Sequence, residues 1–352
     1  PGRFQQVQDV AKMRDTETQA YSAEYIADCF EKERSRAGRF RRPLSLLFLS
    51  IGNDAPKQEK ARDTLVAAAL PEIVDAIRKG IRGSDIIGRV STDRFCILLP
   101  ETDSFGSVLT LGRLRKKLHE KGISRQIGTK SALAQFLASA TYPLDGKDFG
   151  ELSRVGEDRC RRQRSGPLHR LHLMDKSFQD AFDSLVGEPE PSALLRMDED
   201  VDLFAGIRND LGRNRHFSLK RETYLRLVEA VAQDVSSLGN SRGLVIAAGP
   251  RPEIFRRIFL AFGSSISAKR KIYIVGRPGR GRFEGNGLLH VPAGDGFLKE
   301  REVLLYLKEN GAYGIFAAGR EDAMYGFSTA DEWLVEAMIG KLKEACSMHV
   351  SF

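Results

Sequence analysis

The chain has 352 residues, of which 41% are hydrophobic and 29% charged, and its formal net charge is +8. That balance belongs to a globular protein long enough for two ordinary domains, each with a buried core. No apolar run approaches the length of a bilayer crossing, and the opening Pro1-Gly2-Arg3-Phe4 is not a signal peptide. Cys29, Cys96, Cys160 and Cys346 are scattered without CxxC spacing, which argues against a zinc site or a disulfide framework and fits a reducing cytoplasm. The positive charge favours anionic partners, and a solvated basic surface explains it equally well. Aromatic residues are not interleaved with the basic clusters, which counts against a nucleic-acid stacking surface.

In chain order, residues 1–14 read as the end of a helix, followed by the cap-type residues Asp15-Thr16-Glu17-Thr18. Tyr25, Ile26, Cys29 and Phe30 recur at helical spacing within Ala23–Arg39, and Pro43 ends that helix. Leu44–Ile51 is an apolar run of strand length, and Gly52–Lys60 is polar and turn-like. Thr64–Arg78 predicts an amphipathic helix with Leu65, Ala68, Ala69, Ile73 and Ile77 inside and Pro71 as a kink. Asp85–Val90 and Arg94–Pro100 predict a β-hairpin. A helix over Ser104–Gly122, a strand over Ala132–Thr141, the turn Pro143-Leu144-Asp145-Gly146 and a helix over Asp148–Gln163 complete the first unit. Its order is α-β-α-β-β-α-β-α, an α/β domain with a central mixed sheet.

Residues 176–216, with Gly187-Glu188-Pro189-Glu190-Pro191 and Asp198-Glu199-Asp200, read as a linker. From residue 217 to 352, helices are expected over Thr223–Leu238, Pro252–Phe262, Leu298–Asn310 and Asp331–Cys346. They alternate with strands over Gly243–Gly249, Lys271–Gly276, Gly287–Val291 and Ala312–Ala317, which favours a second α/β domain with a mostly parallel sheet. Gly276-Arg277-Pro278-Gly279-Arg280-Gly281-Arg282 is glycine-rich and basic but lacks P-loop and dinucleotide-fold spacing. Gly249-Pro250-Arg251-Pro252 opens a helix at which an anion can sit, and Trp333 reads as core or interface.

Residues 15–175 resemble the GGDEF family of diguanylate cyclases. The resemblance rests on Arg36-Ala37-Gly38-Arg39 before Pro43–Leu49, on Arg82-Gly83-Ser84-Asp85, on the hairpin Ser91-Thr92-Asp93-Arg94-Phe95, and on Thr141–Asp148. The family joins two GTP molecules, one on each protomer of a dimer, into cyclic di-GMP, with carboxylates holding divalent metal against the triphosphate. Where the family carries its first acid, this chain has Ser50. Where the signature turn reads Gly-Gly-Asp/Glu-Glu-Phe, it has Ser91, Thr92, Asp93, Arg94 and Phe95. Only Asp93 keeps its charge type, and Arg94 puts a cation where a cation would bind. The resemblance therefore implies a degenerate domain with no catalytic residues, no metal and no cofactor.

Many members of the family also carry an inhibitory site that binds cyclic di-GMP as an intercalated dimer, and that site is intact here. By resemblance its residues are Arg82, Asp85 and Arg113, with Arg36 supplied by a neighbouring protomer. An arginine fork can pair with guanine O6/N7 or phosphate, and a carboxylate can accept from the guanine N1–H and N2–H edge. A lone Arg-x-x-Asp is more often a surface ion pair. The expectation is thus a bacterial, cytoplasmic, homodimeric cyclic di-GMP receptor that relays to an unidentified protein partner. A working diguanylate cyclase and a ligand-free dimerisation scaffold are the alternatives. The second domain resembles small α/β sensory or output domains at the level of fold alone.

Overall fold

The computed structural model describes residues 13–52, 59–121, 133–187, 194–196, 214–237, 241–262, 269–277, 288–294, 296–309, 311–319 and 323–348. Nearly all of the helix expected over 1–14, the segment 53–58, most of the expected linker and residues 278–282 of the glycine-rich loop lie outside these. The chain divides into two units, Pro1–Gly166 and Pro167–Phe352.

In the first unit, α1 (Ala23–Phe40) is capped by Ser22, whose hydroxyl accepts from the Tyr25 N–H. It ends where Arg41 turns left-handed, two residues before Pro43. Then come β1 (Leu44–Gly52), α2 (Glu59–Gly80), β2 (Ile86–Ser91), β3 (Arg94–Pro100), α3 (Ser104–Glu120), β4 (Ala134–Tyr142) and α4 (Phe149–Ser165). The sheet order is β2-β3-β1-β4. Every neighbouring pair is antiparallel, so the sheet is not the mixed one expected from the α/β alternation. The physical reason is that β1 lies between β3 and β4 and runs against both.

The core of this unit forms around β1, which is buried at every position except Ser50. Gly88 faces Ile26 of α1 and Gly156 of α4 closes onto Phe48, so α1 and α4 share one face. A Cβ at Gly156 would lie 2.0 Å from the Phe48 ring, so only glycine allows that approach. On α2, Ala69, Ile73 and Ile77 are buried as expected, while Ala68 is exposed and Leu70, Val74 and Ala76 join the core. Pro71 sits inside the helix without ending it.

The second unit begins earlier than the sequence suggests. It contains α5 (Pro167–Arg170), a short turn of 3₁₀ helix at Leu173–Asp175, and α6 (Phe178–Val186). Then follow β5 (Leu194–Arg196), β6 (Arg215–Lys220), α7 (Arg221–Ser237), β7 (Gly243–Ala248), α8 (Pro252–Ala261), β8 (Arg270–Gly276), β9 (Leu288–Pro292), β10 (Arg301–Lys308), β11 (Gly311–Gly319), β12 (Ala323–Thr329) and α9 (Glu332–Ala345). Residues 167–175, read as the end of the first domain, and α6, read as linker, belong here. Phe178, Phe182 and Leu185 are buried, and Phe182 meets Phe316 of β11 edge-on at 6.0 Å.

The eight-stranded sheet has the order β5-β6-β12-β11-β10-β7-β8-β9. It is mixed rather than mostly parallel: β5–β6, β7–β8 and β8–β9 are parallel, and the four central pairs are antiparallel. The difference arises at Leu298–Asn310, expected as a helix. Arg301–Lys308 is instead a central strand, with Lys308 paired to Gly311 across a tight hairpin. A continuous apolar run such as Val303–Leu307 suits a buried strand as well as a helix, and pairing on both sides decides it. Helices α7 and α8 cover the face bearing Val245, Ile272, Leu304 and Ile315. Helices α6 and α9 cover the other, with Trp333 buried. Among the described residues no helix is long and apolar enough to cross a membrane.

Glu302 of β10 is nearly sealed, 4% exposed at the side chain, and it accepts from Arg221 at 2.6 Å at the start of α7. Burial, and then the Glu302 charge, push the neighbouring Tyr224 phenol well above its usual range. Removing one partner of such a pair leaves a buried unpaired charge. Arg221→Met is therefore expected to cost about 3 kcal/mol or more of second-unit stability. Urea unfolding followed by the fluorescence of Trp333 measures this, and adding Glu302→Gln should recover part of the loss.

Candidate functional site

The β2–β3 hairpin carries two groups of polar residues at its opposite ends. Ile86 pairs with Leu98 at one end and Ser91 with Arg94 at the other.

At the first end, Arg82-Gly83-Ser84-Asp85 forms the turn from α2 into β2. The Asp85 side chain accepts the Arg82 backbone N–H at 2.7 Å, and the Asp85 N–H donates to the Arg82 carbonyl at 3.1 Å. The Arg82 side chain is exposed while Asp85 is half-buried. Burial raises the Asp85 carboxyl above the usual carboxylate range. The Arg82 N–H, the Arg82 charge, the Ser84 hydroxyl and the Arg113 charge oppose that rise. Arg113 stands on the exposed side of α3, where its guanidinium donates to the Thr110 hydroxyl at 2.9 Å. The fold thus brings Arg82, Asp85 and Arg113 into one electrostatic neighbourhood. A half-buried carboxylate flanked by two exposed guanidiniums suits a ligand with both a donor edge and anionic groups.

Arg36 is placed differently. It lies on α1, paired with Glu33 at 2.7 Å, in a groove of about 220 Å³ that Phe40, Arg42 and Glu101 also line.

At the second end, Thr92 and Asp93 form a tight turn. The Ser91 hydroxyl donates to Asp93 at 2.9 Å, and the Asp93 carbonyl accepts from the Ile51 N–H at 2.8 Å. Ser50 lies directly opposite Arg94 on the neighbouring strand. The Arg94 guanidinium reaches Glu157 of α4 at 3.0 Å and comes within 3.9 Å of Asp93. The groups that face one another here are a hydroxyl and a guanidinium, and the Asp93 carboxylate is engaged by Ser91. This donor set does not fit a divalent cation, which requires converging anionic oxygens. Among the described residues no group of three or more His, Cys, Asp or Glu is placed to hold a metal.

Residues 12–164 match the family model described as diguanylate cyclase, GGDEF domain. The first unit is a GGDEF domain. It is similar to the diguanylate cyclase SiaD, solved with its activator SiaC, from Pseudomonas aeruginosa. The identity is 20% and the TM-score 0.38, and the match covers 47% of this chain and 65% of SiaD. It is similar to a microbial GGDEF domain solved with cyclic di-GMP, at 21% identity and a TM-score of 0.37, covering 45% of this chain and 95% of the other. It is also similar to the GGDEF domain of DgcB from Caulobacter crescentus, solved with cyclic di-GMP, at 13% identity and a TM-score of 0.36, covering 44% and 91%. No curated protein matches the chain.

Two residues that organise the turn of this GGDEF domain escape a sequence reading. Glu157, the partner of Arg94, is 63 positions away in sequence. Arg89 is the other. Its side chain, 11% exposed, binds Asp15 and Glu17 and donates to the carbonyls of Ser91 and Thr92. Burial works against ionisation of Asp15, yet hydrogen bonds from Thr18 and Arg89 hold its carboxyl below the ordinary aspartate value. The cap-like pattern Asp15–Thr18 was the visible half of this network.

Arg89→Met should destabilise the hairpin by about 2 kcal/mol, the scale of lost charge-assisted hydrogen bonds. Faster amide exchange in β2 and β3 would register it. Because the folded pKa of Asp15 is depressed, its contribution is complete above the ordinary carboxylate range and is lost as the pH falls through the folded value. The wild-type advantage over the variant should therefore shrink in acid.

Proposed function

We propose that the GGDEF domain is a receptor for cyclic di-GMP that does not make it. The observation carrying this reading is the contrast between the two ends of one hairpin. Asp85 lies half-buried under the charges of Arg82 and Arg113, while Arg94 faces Ser50 where the family resemblance expects acids. Membership of a family named for diguanylate cyclases supports the dinucleotide as the ligand. In the proposed complex, Asp85 accepts from the N1–H and N2–H edge of one guanine. Arg82 and Arg113 pair with O6/N7 or phosphate. Arg36, paired with Glu33, enters from a second copy of the chain bridged by the ligand. The second unit carries the signal to a protein partner, by an amount bounded by the ligand's differential affinity for the two arrangements.

Calorimetric titration with cyclic di-GMP tests the reading. Arg82→Ala and Asp85→Ala should each weaken binding at least about tenfold, on the scale of a lost charged hydrogen bond. No heat from the wild type would sink the proposal. Incubation with GTP and Mg²⁺ should give no cyclic di-GMP, and measurable product would restore the enzyme reading.

Binding should also depend on pH in a defined direction. The ionised Asp85 accepts from guanine, and its pKa is raised by burial. Protons therefore compete with the ligand at a higher pH than an ordinary aspartate would allow. Affinity should fall as the pH is lowered through the raised pKa of Asp85, at a higher pH than for an ordinary aspartate. In Asp85→Asn that dependence should flatten, and an unchanged slope would remove Asp85 from the contact.

A further inference from the structure

Between α1, the sheet and α4 lies a cavity of about 480 Å³, wholly within the first unit and separate from the Arg82–Asp85 turn. That volume is in the range of pockets that hold small molecules. Its inner wall is apolar: Phe48, Val90, Phe95 and Phe149, with the Cys160 thiol among them. Burial pushes the Cys160 thiol up to about 12, so the wall carries no charge at neutral pH. The exposed part of the lining is different in kind: Arg94, Arg161 and Arg164, with Glu157 and the Ser50 hydroxyl.

The space has a local cause. Gly156 lets α4 touch Phe48, and Ser153 and Cys160, one turn to either side, are too small to fill what lies beside that contact. The charges narrow the occupant further. Arg94 is shared with Glu157 and approaches Asp93, Arg161 pairs with Asp158 at 2.8 Å, and Arg164 rests over the Phe136 ring at 4.9 Å. Three guanidiniums therefore stand near three carboxylates, and the rim is close to neutral. Such a rim cannot balance a triphosphate or other polyanion. It can hold one carboxylate, since each guanidinium has more donors than its present partner uses.

We infer that this cavity binds a small carboxylate with an apolar body, its chain between α1 and α4 and its head on Arg94 and Arg164. The inference goes beyond the dinucleotide site, which lies at the other end of β2.

The test uses the full chain and the fluorescent apolar anion anilinonaphthalene sulfonate, with decanoate and the uncharged decanol as competitors. Decanoate should displace the dye at least about tenfold better than decanol. Arg164→Met should remove most of that preference by weakening decanoate alone, on the scale of one charge-assisted hydrogen bond. Cys160→Phe should abolish binding of both. Should that buried substitution fail to fold, Ser153→Trp, which blocks the cavity from the half-buried helix surface, must do the same. Equal displacement by decanol and decanoate would overturn the inference, as would full decanoate binding in a folded Ser153→Trp protein.

Discussion

The Arg89 guanidinium fixes the geometry on which the first unit's polar sites depend. It is a nearly buried cation that holds Asp15 and Glu17 on one side and the carbonyls of Ser91 and Thr92 on the other. A buried charge of this kind is stable only when its donors are satisfied, so the chain before α1 and the tip of the hairpin cannot move independently. The Tyr21 N–H and C=O extend the tie by bonding to Ile87 and Arg89. With the tip held, β2 and β3 stay paired across a register shift between Arg89 and Ser91. The Arg82–Asp85 turn is then fixed at one end and the Ser91–Arg94 turn at the other.

That separation gives the two polar turns different supports. Asp85 draws its partners from its own turn and from α3. Arg94 draws its partner from α4. Arg94 also lines the α1–α4 cavity, whereas Arg82 and Asp85 do not.

How much of this the sequence reveals depends on the range of the interactions involved. Local features are legible: the helix over Ala23–Arg39 and its break at Pro43, the helix opening at Asp148, and the hairpin between Val90 and Arg94. Features set by distant pairing are not. Leu298–Asn310 has helix-forming residues, and only its pairing with β7 and β11 makes Arg301–Lys308 a strand. Phe178–Val186 follows a poorly patterned region, and its helix is defined by the sheet it covers. Strand direction was misjudged in both sheets, because alternation of helices and strands does not say on which side of a neighbour a strand inserts. Arg36 matched a motif, yet in this chain it stands beside Glu33. The helix over Asp148–Gln163 gives no local sign of what its arginines hold. In the fold Arg159 is locked to Asp145 and Ser139, while Arg161 and Arg164 edge a cavity.

Ser50 and Arg94 are best understood as one change rather than two. They face each other directly across β1 and β3. An aspartate kept at position 50 would lie within reach of Arg94, and the two would close on each other as a cross-strand ion pair. With serine there, the guanidinium reaches Glu157 on α4 at 3.0 Å and has Asp93 of its own hairpin at 3.9 Å. The charge is then balanced between sheet and helix instead of within the sheet. Arg94 becomes part of the rim above Phe48 and Cys160, and the end of the strand no longer presents paired carboxylates. The same two residues, facing each other across β1 and β3, therefore both line the α1–α4 cavity, and Arg94 ties its charge to Glu157 there.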